Sequence, residues 1–185
     1  MIIKKNDRNS IKIASEKLLA EEIVIIPTDT VYGFSGIVKP ESNTDKKIRE
    51  IKGREEEKPF IQLISSPEEI YKYTKDVIPE NLFNKWPGAL TIIVNDIRGG
   101  TTAFRCPSDL WLLEILKNVE YPLYSTSVNK SGCPILENIS DIESVFEKEV
   151  ALIVKDGNKK NALPSTLVKI ENGNVVILRQ GSVKI

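Results

Sequence analysis

The chain has 185 residues, 41% of them hydrophobic and 28% charged, with 26 Lys plus Arg balancing 26 Asp plus Glu and no histidine. That length is most simply one domain, residues 1–185, large enough to build a core without staples. Zero net charge argues against a surface that is a nucleic-acid footprint throughout, while leaving room for a basic groove balanced by acids elsewhere.

The first periodic stretch, "SIKIASEKLLAEE", sets Ile11, Ala14, Leu18 and Leu19 close to a 3.6-residue repeat behind a Ser10 cap, which predicts an amphipathic helix. "EIVIIP" then reads as a short buried strand stopped by Pro27. A helix is predicted from near Ser42 to Gly53, with "PFIQLIS" as the next strand. "SPEEIYKYT" and "PENLFNKW" are short helices, each opened by a proline in its first turn. "ALTIIV" and "TAFRCP" are strands flanking the loop "NDIRGG". "PSDLWLLEILKN" is a helix with Leu112, Leu113 and Leu116 inward, and "YPLYSTS" returns as a strand. Ser140 and Glu143 have the spacing of a capping box for a helix over "SDIESVFEKE". The last third is strand-rich, "VALIVKDG", "STLVKIENG" and "NVVILRQG", with a hairpin turn at "IENGN". Helices and strands alternate early and strands crowd late, which predicts one α/β domain with a mixed sheet.

The composition narrows the chemistry. Cys106 and Cys133 cannot make a four-ligand zinc site without histidine, and two thiols with no signal-like N-terminus read as reduced. The longest apolar runs fall far short of the roughly 20 residues that span a bilayer. A soluble, cytoplasmic protein with no membrane partner is expected. Without histidine neither a Ser-His-Asp nor a Cys-His nucleophile is available, and catalysis must use lysine, arginine, carboxylates, hydroxyls or a substrate-borne metal.

Several stretches place hydroxyls or cations at strand ends, where side chains converge on clefts. "PTDTVYGF" leaves a strand with Asp29 and two threonines, residues that also serve simply to cap a turn. "KGREEEKP" carries Lys52, Arg54 and Lys58 around Glu55 to Glu57, and taken alone reads first as a helix C-terminus with Gly53 as its C′ residue rather than as a phosphate site. Arg105 sits inside an apolar strand pattern and needs an anionic partner, either a ligand or an internal salt bridge. Ser125, Ser127 and Asn129 share one face if "STSVN" stays extended, although an ST-turn is an equal local account. Ser165 in "PSTLV" and Arg179 in "LRQG" complete the set.

Read together in this order, "PTDTVYG", the Lys52-Gly53-Arg54 signature with Lys58-Pro59, "WPGALT", "FRCP", "SVNKSG", "PST" and "LRQG" resemble the YrdC-like family of threonylcarbamoyl-AMP synthases, over about Ile11 to Gly181. The chain departs from the family at Thr126, usually proline, at Ile135, in a segment usually close to P-S-P-T, and at Gln180, usually proline.

The resemblance implies a short YrdC-like domain with a twisted sheet of parallel and antiparallel strands, flanking helices and a basic concave cleft. It implies formation of threonylcarbamoyl-adenylate and pyrophosphate from L-threonine, bicarbonate and ATP, for a modification of tRNA completed by downstream threonylcarbamoyl transferase machinery. ATP enters as substrate with Mg²⁺, and neither zinc nor an organic cofactor is expected. By the same resemblance Lys52 and Arg54 are catalytic. Arg54, Lys58, Thr101, Ser127, Asn129 and Arg179 take ATP, and Thr30, Tyr32, Leu63, Arg105, Ser125 and Ser165 take L-threonine. No dedicated metal ligand is expected. A second reading is a module that binds double-stranded RNA or tRNA weakly in a basic groove without catalysis of its own.

Overall fold

The computed structural model describes residues 1–54, 59–171 and 173–185. The expected turn residue Asn172 and the run Glu55 to Lys58 lie outside the described residues.

The strands are β1 (Ile2–Lys4), β2 (Val24–Ile26), β3 (Gly33–Ile37), β4 (Ile61–Leu63), β5 (Leu90–Asn95), β6 (Thr101–Arg105), β7 (Leu123–Ser127), β8 (Leu152–Lys155), β9 (Thr166–Glu171) and β10 (Asn174–Arg179). They form one mixed sheet in the order β1-β8-β2-β3-β7-β4-β6-β5-β9-β10. β1, β8 and β2 run parallel, as do the pairs β4–β6 and β5–β9, and the other neighbouring pairs are antiparallel. Helices α1 (Ser10–Leu19), α2 (Thr44–Lys52), α3 (Glu80–Phe83), α4 (Leu110–Val119) and α5 (Ile139–Phe146) flank it, with a 3₁₀ turn at Pro67–Lys72.

Two strands depart from the sequence expectation. β1 is three residues long, too short for a periodic signal. β3 reads "GFSGI", in which glycine and serine occupy the positions where an apolar alternation would be visible. The expected capping box also differs, because the N-cap of α5 is Asn138, two residues before Ser140. Asn9, not Ser10, precedes α1; the Ser10 hydroxyl instead donates to Lys5 O and accepts from Trp111 Nε1.

Register decides which face is solid and which is hollow. Ile61 lies opposite both Ala103 and Ser125, Ser125 opposite Ser35, Ala103 opposite Ile93, and Thr91 opposite Leu167. Since side chains alternate along a strand, these residues share one face across six strands. The other face carries the large residues. Phe34 packs with Ile48, Ile142 and Phe146 of α2 and α5, and Phe104 packs with Ile70 and Leu82 of the 3₁₀ turn and α3. On the first face α1 and α4 cover Val24, Ile26, Ile37, Leu63 and Leu123. Beyond that cover the central strands bear Gly33, Ser125, Ser127, Ala103 and Thr91, whose small side chains leave a hollow.

Candidate functional site

The hollow is a cavity of about 470 Å³. Its charged lining among the described residues is Arg54, Arg105 and Arg179, with no carboxylate. Hydroxyl groups of Thr28, Thr30, Ser125, Ser127 and Ser165 share the wall, and Phe60, Ile61, Ile93, Ile135 and Leu167 supply its apolar part.

Arg105 is at the end of β6 and 4% exposed. Its guanidinium is held on three sides. Nε donates to Gly88 O at 3.1 Å, Nη1 to Thr30 Oγ1 at 2.9 Å and Nη2 to Asp29 Oδ1 at 2.5 Å. A guanidinium carries five N–H groups, so one on each Nη remains uncommitted among the described residues. Asp29 is fixed in turn, its Oδ2 accepting from the Ser108 N–H and hydroxyl. Burial opposes ionisation of Asp29, but the Arg105 charge and these hydrogen bonds outweigh it and hold the carboxyl below its ordinary range. The arginine of the internal salt bridge and the arginine that lines the cavity are therefore the same residue.

Arg179 closes the opposite wall. Its Nε and Nη2 donate to Ser165 O, at 3.2 and 2.9 Å, and Nη2 also reaches Ser165 Oγ at 3.3 Å. Ser165 Oγ is 2.7 Å from Thr91 Oγ1. Burial, and secondarily the charge of Arg105, lowers the Arg179 pKa. Two guanidinium groups thus sense each other across the cavity, a field that an anionic ligand would relieve. Gly181 makes this placement possible, because a Cβ there would collide with the backbone of Pro164, Ser165 and Thr166.

The Lys52-Gly53-Arg54 signature divides. Lys52 is 3% exposed and points beneath the end of β7, where Nζ donates to Ser127 O at 2.6 Å, Asn129 O at 2.9 Å and Asn129 Oδ1 at 3.0 Å. Burial, then the Arg54 charge, pushes its pKa down to about 8. Gly53 adopts the left-handed conformation at φ 60°, closing α2 and turning the chain. Arg54 consequently reaches the cavity and lies over the Phe60 ring at 4.9 Å. Burial, then the Arg49 charge, lowers its pKa.

Of the residues expected at the site, Thr30, Tyr32, Arg54, Arg105, Ser125, Ser127, Ser165 and Arg179 line the cavity. Ser125 Oγ has no hydrogen-bond partner among the described residues. The Tyr32 hydroxyl faces elsewhere, donating to Gly157 O and accepting from Asp156 N, both at 2.7 Å. Four expected residues are not in the lining. Lys52 and Asn129 are joined to each other behind Ser127, whose hydroxyl donates to Asn129 Oδ1 at 2.8 Å. Thr101 is exposed at the start of β6. Leu63 lies further along β4, under α1 and α4, and Ile61 is the residue of that strand that meets the cavity. Lys58 lies outside the described residues, as do Glu55 to Glu57 beside it. Thr28 and Asp29 acquire contacts the sequence reading did not assign. The available signal was a lone carboxylate among hydroxyls, paired with a lone buried arginine far along the chain.

The model of the Sua5/YciO/YrdC proteins, described as "Telomere recombination", matches residues 16–181. A threonylcarbamoyl-AMP synthase of Pyrococcus abyssi is 30% identical over 183 residues, covering 92% of this chain and 54% of that protein. One of Pseudoalteromonas translucida is 27% identical, covering 92% of this chain and 98% of that protein. The crystal structure of P. abyssi Sua5 complexed with L-threonine superposes with a TM-score of 0.88 at 28% identity, covering 98% of this chain and 57% of that one. The chain therefore spans little more than half the length of its P. abyssi relative.

Proposed function

The chain belongs to the Sua5/YciO/YrdC family, and we propose that it is a threonylcarbamoyl-AMP synthase acting on L-threonine, bicarbonate and ATP. The observation that carries this reading is the convergence of Arg54, Arg105 and Arg179 with five hydroxyl side chains on one cavity that has no carboxylate among its described lining residues. Such a site suits a ligand with several anionic groups and few cations of its own.

In this reading the two uncommitted Arg105 N–H groups take the threonine carboxylate, and Ser125, Ser165 and Thr30 surround the rest of the amino acid. Arg54, Arg179 and Ser127 face the nucleotide, with Lys58 as a further cation. Lys52 and Asn129 support Ser127 from behind. Leu63 would act through Ile61, and the nucleotide contact at Thr101 rests on the family resemblance alone. The threonine amine attacks the bicarbonate carbon with loss of water. A carbamate oxygen then attacks the α-phosphorus, and pyrophosphate leaves with the electron pair of the broken P–O bond. Catalysis is by positioning and by stabilising charge on the leaving group, with no side chain serving as nucleophile. Among the described residues no His, Cys, Asp or Glu cluster could hold a metal ion. In this reading Mg²⁺ enters with the ATP phosphates.

Hand-over to tRNA-modifying enzymes, weak RNA binding and a cytoplasmic location complete the proposal. None of the described helices is long and apolar enough to cross a membrane. The test is pyrophosphate release from ATP with bicarbonate and each amino acid in turn. Release that depends on threonine and bicarbonate together is expected, and a flat response across amino acids would overturn the proposal.

A further inference from the structure

Thr28 lines the cavity, yet the roles above leave it unassigned. Its Oγ1 donates to Val31 O at 2.8 Å, accepts from Thr30 N at 3.1 Å and lies 2.9 Å from Thr30 Oγ1. A hydroxyl has one proton, and a carbonyl has none to give. The Thr28 proton therefore belongs to the bond with Val31 O, and the proton between the two threonines is that of Thr30. Reversing this bond would take from Val31 O its one donor among the described residues. Thr30 Oγ1 also accepts from Arg105 Nη1 at 2.9 Å, and a guanidinium cannot accept in return. The chain of hydrogen bonds runs in one direction, from Arg105 to Thr30 to Thr28 to Val31 O.

From this order we infer that Thr28 is a positioning residue that sets the polarity of amino-acid recognition. By taking the Thr30 proton, it leaves Thr30 with a lone pair only to offer the cavity. Beside that acceptor stand the free N–H groups of Arg105. This end of the cavity is complementary to a carboxylate with an N–H donor on the adjacent carbon, and it disfavours a carboxylate whose adjacent group presents only lone pairs. The inference rests on the amino-acid reading of the site. It also has a chemical consequence. An amine that donates an N–H to Thr30 keeps its own lone pair free, as attack on a carboxyl carbon requires.

A matched pair of ligands separates polarity from shape. L-2-aminobutanoate and 2-oxobutanoate share a skeleton and a carboxylate, and differ in presenting a donor or an acceptor at the second carbon. Binding of each is measured by calorimetry on the full chain as wild type, Thr28→Ser and Thr28→Val, with ATP affinity measured alongside. Wild type and Thr28→Ser should prefer the amino acid equally. In Thr28→Val the Thr30 proton is released toward the ligand, so the preference should narrow about tenfold, the size of one hydrogen bond to a charged group, with ATP affinity unchanged. A Thr28→Val protein that keeps the wild-type ratio overturns the inference. So does one that loses both ligands and ATP in the same proportion, because Thr28 would then be structural only. A wild-type protein that binds ATP and neither four-carbon acid refutes the amino-acid assignment itself, and this inference with it.

Discussion

Asp29→Ala tests whether the salt bridge behind the cavity is as consequential as its geometry implies. The two side chains are 12% and 5% exposed and 2.5 Å apart, so removing the carboxylate leaves a buried guanidinium with an uncompensated charge. Breaking a buried pair in this way costs about 3–5 kcal/mol. Arg105 retains its bonds to Gly88 O and Thr30 Oγ1, and its cavity side admits water, which places the loss near the lower end, about 3 kcal/mol. For a chain of this size that corresponds to a fall in Tm of roughly 6–12 °C. The sign of the pH dependence follows from the depressed Asp29 pKa. A carboxyl ionised more readily in the folded state stabilises it above the ordinary value of 3.8, and that contribution disappears as pH falls through the lower folded value. Urea unfolding of wild type and Asp29→Ala at neutral pH and in steps below pH 4 is the assay. A variant within about 1 kcal/mol of wild type at neutral pH would refute the reasoning, as would a gap that persists in acid.

Other substitutions separate charge from scaffolding. Arg54→Ala should abolish threonine-dependent pyrophosphate release while leaving the circular dichroism spectrum unchanged; near-normal turnover would remove Arg54 from the proposed site. Lys52 has its folded pKa lowered from 10.5 to about 8 by burial, so the unfolded chain binds more protons between those values. The stability of wild type relative to Lys52→Met should therefore rise with pH across that window, at up to about 1.4 kcal/mol per unit, as read from urea midpoints. A relative stability that is flat or falling there contradicts the assignment. Gly181→Ala must displace the backbone at Pro164–Thr166, at a cost of about 1–3 kcal/mol. Because the clash falls on Ser165 and Arg179 lies two residues away on the same segment, KM for threonine and KM for ATP should both rise; an unchanged KM for either would remove its residue from the proposed wall.

How much of this was legible in the sequence depended on the range of the interaction. Strands with apolar runs, the helix ended by Gly53 and the small-residue motifs at strand ends are local signals, and each led to an element or a cavity wall. β3 was hidden for a structural reason. Gly33 and Ser35 belong to the hollow face, and a strand that borders a cavity gives up the alternation that would mark it. The Asp29–Arg105 pair joins residues 76 apart, which no local pattern encodes.

The Lys52-Gly53-Arg54 signature shows why residue type and spacing are insufficient. Two cations two residues apart suggest a common ligand, and a regular continuation of α2 would have held them in a fixed relation. The left-handed turn at Gly53 breaks that relation. Lys52 stays in the helix and reaches three oxygen acceptors under the end of β7, whereas Arg54, beyond the turn, lies over Phe60 and enters the cavity. One cation therefore shapes the wall and the other supplies its charge. Loss of either would weaken the same reaction for different physical reasons. With Lys52 replaced, the Ser127–Asn129 segment loses its support, whereas with Arg54 replaced, the segment keeps its shape and the cavity loses a cation. An Arg54→Lys variant should accordingly recover part of the lost activity. Lys52→Arg should recover none, because the bulkier planar guanidinium cannot occupy a pocket shaped around a compact ammonium donating to Ser127 O, Asn129 O and Asn129 Oδ1.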